Sequence, residues 1–226
     1  MIDFHTHILP GIDDGSKNVH MSLAMLREEA RQGIDTVLLT PHFYADQNSP
    51  MSFLRRRNNA WNELVQYLTD EEPDLYMGAE VQYFEGITSV DDIPELVISG
   101  TDLLLLEMPF SRWTERMVDD IFEMQAQWDV RVVLAHIERY MSFQKKDIWT
   151  VLRNEGILMQ SNVSFFANRK TRRKAIHMLA NGEIHFLGTD CHNKETRRPN
   201  WDELPPKAIN VLPRNFGYCQ LAEFGF

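Results

Sequence analysis

The stretch "DLLLLEMP", residues 102–109, decides how this chain folds. Four consecutive leucines leave no polar side chain to face water on either side of an extended strand. Such a run is a strand covered on both faces, as in a parallel sheet flanked by helices. "TVLLTPH" (36–42), "VRVVLAH" (130–136) and "EIHFLGTD" (183–190) repeat the pattern. With weaker runs they predict seven strands, at 2–5, 35–40, 74–80, 102–107, 131–136, 157–162 and 184–189. Helical stretches at 18–32, 52–69, 114–127, 145–154 and 169–181 fall between them, with a short helix near 92–99. The first helix puts Val19, Leu23, Leu26 and Ala30 on one side, with Arg27, Glu28 and Arg31 away from it. Right-handed strand–helix–strand connections favour a barrel or a doubly wound sheet. The strands show no division into two halves. The reading is therefore a TIM-like β/α barrel of seven units, one domain over residues 1–226, with a closing helix or irregular cap after Pro199.

At 226 residues, with 43% apolar and 25% charged, the chain can bury a sizeable core as a soluble globular protein does. A formal net charge of -10 gives no basic footprint for nucleic acid or an anionic membrane. A protein of this charge that handles anions needs local positive charge, from arginine or from metal. Cys191 and Cys219 are too few for a disulfide scaffold and fit a reducing compartment. Asp3, His5 and His7 stand where a secretory leader would have its apolar run. No apolar run approaches the roughly 20 residues that a membrane span needs. The expectation is a cytoplasmic protein with no membrane insertion.

The polar residues cluster at the carboxyl ends of the strands. The first strand ends in His5, Thr6 and His7; the second runs into His42; the third ends at Glu80 and the fourth at Glu107. The fifth ends at His136, and the seventh delivers Asp190 and His192. The glycine-punctuated loop after the first strand adds Asp13 and Asp14. Carboxyl ends of parallel strands converge on one face, where barrel enzymes build their sites. His5 and His7 point to the same side of an extended chain and can grip one ion together. A lone histidine at a strand end is usually structural, and HxH alone is a weak motif. Five histidines and three or four carboxylates at one end of successive strands point to metal. A catalytic ion takes three protein ligands and keeps a position for water, so this set serves two or three ions if one carboxylate bridges. The nitrogen and oxygen donors suit manganese, iron, zinc or magnesium alike.

"MIDFHTHILPGIDDGS", "TPH", "GAE", "LLLLEMP", "AHIERY" and "GTDCHN" together resemble the polymerase-and-histidinol-phosphatase (PHP) superfamily. Within it the resemblance is to the bacterial CpsB/YwqE-type protein-tyrosine phosphatases of capsule and exopolysaccharide systems, from Met1 to about Trp201. It implies a distorted seven-stranded β/α barrel and a trinuclear site. His5, His7, Glu80 and Asp190 would hold one ion, and Glu80 would bridge to a second held by Glu107 and His136. Asp14, His42 and His192 would hold the third. The family pattern prefers Asp14 to Asp13, which reads instead as a loop residue capping a helix that begins near Ser16. Arg139, in "HIERY", matches an arginine that binds the substrate phosphate. Arg197, seven residues after Asp190, matches a second. Arg198 stands where the family often has proline, so either arginine could reach inward. Cys191 departs from the usual alanine.

The resemblance implies hydrolysis of phosphotyrosine on a protein, with the C-terminal tail of a bacterial tyrosine kinase as substrate. Closely spaced ions lower the pKa of a coordinated water toward about 7. The ions and Arg139 stabilise charge on the equatorial oxygens, and a water or His42 supplies the proton for the leaving phenolate. A competing reading takes "CHNKETR" (191–197) as the C-x5-R loop of a cysteine-dependent phosphatase. That loop has no glycine to curl around phosphate, and Asp190 beside Cys191 would raise the thiol pKa. A small-molecule phosphatase, acting on histidinol phosphate or a sugar phosphate, is the alternative within the superfamily. Loops 43–50 and 108–112 read as short, which suits an open rim and a protein substrate. Tyr44, Phe110 and Trp113 are candidates to stack on a tyrosyl ring.

Overall fold

The computed structural model describes residues 1–212. Its strands are β1 (Ile2–Thr6), β2 (Thr36–Leu39), β3 (His42–Phe43), β4 (Asp74–Met77), β5 (Glu80–Gln82), β6 (Leu103–Glu107), β7 (Arg131–Leu134), β8 (Leu158–Asn162) and β9 (Phe186–Gly188). All pairings are parallel. β1, β2 and β4 form one sheet; β3, β5, β6, β7, β8 and β9 form another, in that order. The helices are α1 (Val19–Arg31), α2 (Pro50–Val65), α3 (Glu115–Trp128), α4 (Lys146–Asn154), α5 (Val163–Ala167), α6 (Arg172–Ala180) and α7 (Pro206–Ile209).

Two of the seven expected strands, the second and the third, are each interrupted, and the strands fall into two parallel sheets. Pro41 has no N–H to continue a ladder, and it separates β2 from β3. Gly78 and Ala79 separate β4 from β5. Backbone bonds nevertheless run across both breaks, from Gly78 N to Leu39 O (2.8 Å) and from Glu80 N to Pro41 O (3.0 Å). The first and last strands also meet, through Asp190 N to His5 O (2.8 Å) and His7 N to Cys191 O (2.9 Å).

The leucine run alternates between two cores, which explains why it contains no polar residue. Leu103 and Leu105 join Ile2, Phe4, Leu38, Val133, Ala135 and Phe186 in a small cluster. Phe4 of β1 stacks on Phe186 of β9, ring centroids 4.0 Å apart. Leu104 and Leu106 point into the larger core, with Met25 and Leu26 of α1 and Ile121 and Met124 of α3. Residues from β1, β2, β6, β7 and β9 can share the small cluster only if the parallel sheet is strongly curved.

α1 is rotated from its expected face. Ser22, Met25, Leu26 and Glu29 are its buried residues, while Val19, Leu23 and Ala30 are half-buried. Two polar side chains turn inward because they have partners there. Ser22 Oγ donates to Ile8 O (2.6 Å), and Glu29 lies against Thr189 and Cys191. The short helix near 92–99 is a 3-10 turn, Ile93–Leu96, and a second turn, Ile87–Ser89, precedes it. The segment after Pro199 forms a 3-10 turn, Trp201–Glu203, followed by α7. The rest of the expected cap lies outside the described residues.

Asp3 ties these parts together. Its buried carboxylate accepts from Thr189 N (3.0 Å), Thr189 Oγ1 (2.6 Å), Trp201 Nε1 (2.9 Å) and His5 N (3.1 Å). One side chain of β1 thus fixes the end of β9 and the segment beyond it. Gly188 allows the close approach of β9 to β1. A Cβ there would lie 2.7 Å from His5 Cβ and 2.8 Å from His5 N. Gly188→Ala should therefore destabilise the fold by about 1–3 kcal/mol through overpacking. This is read as a lowered urea midpoint at unchanged slope; an unchanged midpoint would mean that β9 yields freely.

Candidate metal centre

The carboxyl ends of the strands place all nine expected donors together. Glu80, at the start of β5, is the hub. Its Oε2 lies 3.1 Å from His5 Nε2, 3.2 Å from His7 Nε2 and 3.0 Å from His42 Nδ1. Its Oε1 lies 2.9 Å from His136 Nε2, which is also 3.3 Å from Glu107 Oε1. Asp190 Oδ1 lies 3.5 Å from both His7 Nε2 and His192 Nδ1. Asp14 Oδ1 lies 3.2 Å from His192 Nε2 and 3.6 Å from His42 Nε2. His5, His7, Glu80, Glu107, His136, Asp190 and His192 are buried, His42 is half-buried, and Asp14 is exposed at the rim.

Among the described residues, three donor groups are compact enough to hold an ion: His7, Asp14, His42 and His192; His5, His7 and Asp190; and His42, Glu80 and Glu107. His7 and His42 each belong to two groups, so the donors are shared more widely than in the three sets implied by resemblance. A divalent cation fits this arrangement. Glu80 Oε2, His42 Nδ1 and His192 Nε2 are buried without a well-aligned hydrogen bond, although buried polar atoms are nearly always satisfied. His5 Nε2 and His7 Nε2 face each other at 3.1 Å, too close for both to carry a proton.

The electrostatics agree. Burial opposes charge on Glu80 and Asp190, but the facing imidazoles outweigh it and hold both carboxyls well below the usual range; Arg139 adds to this at Asp190. Against burial, Asp13 and Glu80 hold His7 up to about 10. Glu107 and Glu80 hold His136 up to about 9. Burial and the nearby His7 push His192 down. The carboxylates thus demand positive charge at the imidazole nitrogens, and a bound cation would displace protons held there.

The supporting contacts lay beyond the sequence pattern. Asp13 does not cap a helix; α1 begins at Val19, where Asn18 Oδ1 accepts from Met21 N (3.0 Å). Asp13 instead accepts from His7 Nδ1 (2.7 Å), His42 N (3.0 Å) and Gly15 N (3.0 Å). It leaves His7 Nε2 to face Glu80. Gly15 lets the loop close over His7: a Cβ there would lie 2.1 Å from His7 O. His136 and Asp190 have positive φ, 29° and 54°. Such backbone costs about 1–3 kcal/mol each and clusters at functional sites.

Two arginines border the donors. Arg139, on the 3-10 turn Ile137–Arg139, donates to Asp190 Oδ2. Arg197 Nη2 donates to Asp190 Oδ1 (2.7 Å). Arg198 turns away and pairs with Asp202 and Glu203, so Arg197 is the one that faces inward. Arg139, Asn162, Ser164, Asp190 and Arg197 line a polar cleft of about 340 Å³. A separate groove of about 930 Å³ along α1 contains none of the nine donors. Tyr44 stacks on His42 with centroids 5.0 Å apart, and Phe110, 48% exposed, lies 5.8 Å from His136. Trp113 is buried and packs on Tyr140 and Trp149, which removes it from the candidates for ring stacking.

Cys191 cannot act as a surface nucleophile. It is fully buried, and burial together with Glu29 and Asp3 pushes its thiol well above the ordinary value.

A sequence profile described as "Capsular polysaccharide synthesis, CpsB/CapC" matches residues 1–220. The tyrosine-protein phosphatase YwqE of Bacillus subtilis is 28% identical, the alignment covering 96% of this chain and 85% of that protein. The tyrosine-protein phosphatase CpsB of Streptococcus agalactiae serotype III is 25% identical, covering 96% and 91%. A solved structure from work on YwqE of Bacillus subtilis and CpsB of Streptococcus pneumoniae, described as unique metal-dependent tyrosine phosphatases, superposes with a TM-score of 0.76. It is 25% identical and covers 99% of this chain and 91% of its own.

Since Asp13 orients His7, Asp13→Ala should lower Mn²⁺ affinity 10- to 100-fold, the usual cost of losing such a partner. Calorimetric titration of folded protein measures this; wild-type affinity in the variant would reduce Asp13 to a loop contact.

Proposed function

Since the chain belongs to the CpsB/CapC family of capsular polysaccharide synthesis, we propose that it is a metal-dependent protein-tyrosine phosphatase. The observation that carries this reading is the cluster of nine nitrogen- and oxygen-bearing side chains, four of whose imidazoles meet Glu80, bordered by Arg139 and Arg197. His5, His7, Asp14, His42, Glu80, Glu107, His136, Asp190 and His192 would hold two or three divalent ions, with manganese the favoured metal. Bound there, such ions supply Lewis-acid stabilisation of the phosphoryl group and a water activated at neutral pH.

The rest falls to the chain's own residues. Arg139 and Arg197 converge on one carboxylate from two loops, and their remaining N–H groups reach the cleft beside it. Those donors suit the equatorial oxygens of a phosphoryl group, where charge accumulates during transfer. Tyr44 and Phe110 flank the rim and offer faces to a tyrosyl ring. His42, the one half-buried imidazole of the five, or a water supplies the proton for the phenolate. β3 passes to α2 through a short loop, 44–49, and β6 to α3 through 108–114, lengths that favour an open rim. An open rim suits a tyrosine on a protein better than an enclosed metabolite.

On the same reading, the two sheets form one distorted seven-stranded barrel and the chain is a single domain. The substrate we propose is the C-terminal tail of a bacterial tyrosine kinase, in the cytoplasm. Among the described residues no helix is long and apolar enough to cross a membrane.

The test compares a phosphotyrosine peptide, a phosphoserine peptide and histidinol phosphate. Chelation should abolish turnover, Mn²⁺ should restore it, and the phosphotyrosine peptide should be preferred. Arg139→Ala should lower kcat/KM on that peptide by on the order of a hundredfold while Mn²⁺ content stays at the wild-type level. Preference for histidinol phosphate would overturn the substrate class, and turnover by metal-free protein would overturn the mechanism.

A further inference from the structure

In the six-stranded sheet, β8 is the strand that brings neither histidine nor carboxylate to the centre. It brings Gln160, Ser161 and Asn162 instead, all buried. Gln160 Oε1 accepts from His136 N at 2.6 Å and faces His5 Nδ1 at 3.3 Å. Gln160 Nε2 donates to Asn162 Oδ1 at 3.0 Å, and Asn162 Nδ2 donates to Asp190 Oδ2 at 3.1 Å. These bonds make one chain of contacts from His5 and His136 to Asp190.

Both ends fix its direction. A backbone N–H only donates, so the Gln160 atom facing His136 N is the oxygen. A carboxylate only accepts, so the Asn162 atom facing Asp190 is the amide nitrogen. The middle bond, nitrogen to oxygen, agrees with both assignments. The oxygen of Gln160 then faces His5 Nδ1, which must carry its proton to bond there. That leaves His5 Nε2 with its lone pair toward Glu80 and His7. At the other end, Asn162 shares Asp190 Oδ2 with Arg139, while Asp190 Oδ1 faces the imidazoles. The strand is anchored in turn by Glu138, whose carboxylate accepts from Ser161 Oγ (2.9 Å) and Asn162 N (3.2 Å).

We propose that Gln160 and Asn162 are positioning residues: Gln160 sets the tautomer of His5, and Asn162 sets the rotation of Asp190, so that His5 Nε2 and Asp190 Oδ1, which also accepts from Arg197 Nη2, face a divalent cation. The proposal rests on the metal-dependent reading above. A neutral amide pair suits this place. It orients two donors without adding a charge to a centre that already holds four carboxylates, and outer partners of this kind are worth 10- to 100-fold in metal affinity.

The experiment uses the full chain with Mn²⁺ and Zn²⁺ as probes. Calorimetry gives the Mn²⁺ affinity. Long-range ¹H–¹⁵N spectra of the Zn²⁺-loaded protein give the His5 tautomer. Gln160→Leu should unfold cooperatively, lose 10- to 100-fold in Mn²⁺ affinity and lose the single Nδ1–H signature of His5. Gln160→Glu keeps an oxygen for His5 and should retain that signature and most of the affinity. Asn162→Ala should weaken Mn²⁺ binding and leave the His5 tautomer unchanged. Wild-type affinity and tautomer in Gln160→Leu would overturn the proposal. Should Gln160→Leu fail to fold, Gln160→Glu decides: loss of the Nδ1–H signature despite the retained oxygen would overturn it. A wild-type chain that binds no Mn²⁺ would overturn the metal reading itself, whereas normal loading with indifferent variants would overturn this proposal alone.

Discussion

One buried carboxylate, Glu80, is met by four imidazoles, His5, His7, His42 and His136, at 2.9–3.2 Å. In a low-dielectric interior such an assembly is stable only if positive charge is present among those nitrogens. Protons can supply some of it, but His5 Nε2 and His7 Nε2 are too close to share the task equally. Two or three cations would satisfy Glu80 Oε2, His42 Nδ1 and His192 Nε2 at once, and would also give a chain of net charge -10 a positively charged pocket. The rest of the centre follows from holding that carboxylate and those rings in place.

The fold does this from the outside in. Asp3 locks the end of β9 to β1, and Gly188 lets the two strands approach until His5 and Asp190 face each other. Asp13 and Gly15 close the first loop over His7. Positive φ at His136 and Asp190 turns those side chains inward where the strands end. The two arginines reach Asp190 from different loops, and Asn162 at the end of β8 donates to it as well.

Much of this was legible in the sequence because burial on both faces writes a simple signature. Runs such as Leu103–Leu106 mark parallel strands, and the first histidine or carboxylate after each run marks the converging face. What escaped depends on contacts distant in the chain. Asp13 read as a cap because nothing in the sequence says that His7 lies beside it. The interruptions at Pro41 and at Gly78–Ala79 fall inside stretches that read as single strands. The buried side of α1 departs from the expected face because Ser22 and Glu29 are polar and turn inward, Ser22 for Ile8 O in the loop after β1 and Glu29 for Thr189 and Cys191 after β9. Gln160 and Asn162 were passed over because amides carry no metal-ligand signature. The choice between Arg197 and Arg198 needed the loop itself, where Asp202 and Glu203 draw Arg198 outward.

The most direct test of the centre is anomalous diffraction at the manganese edge from crystals loaded with Mn²⁺. The account predicts two or three peaks within coordination distance of the nine donors, with Glu80 shared between at least two of them. Peaks elsewhere, or a fully active enzyme with none at this site, would contradict it.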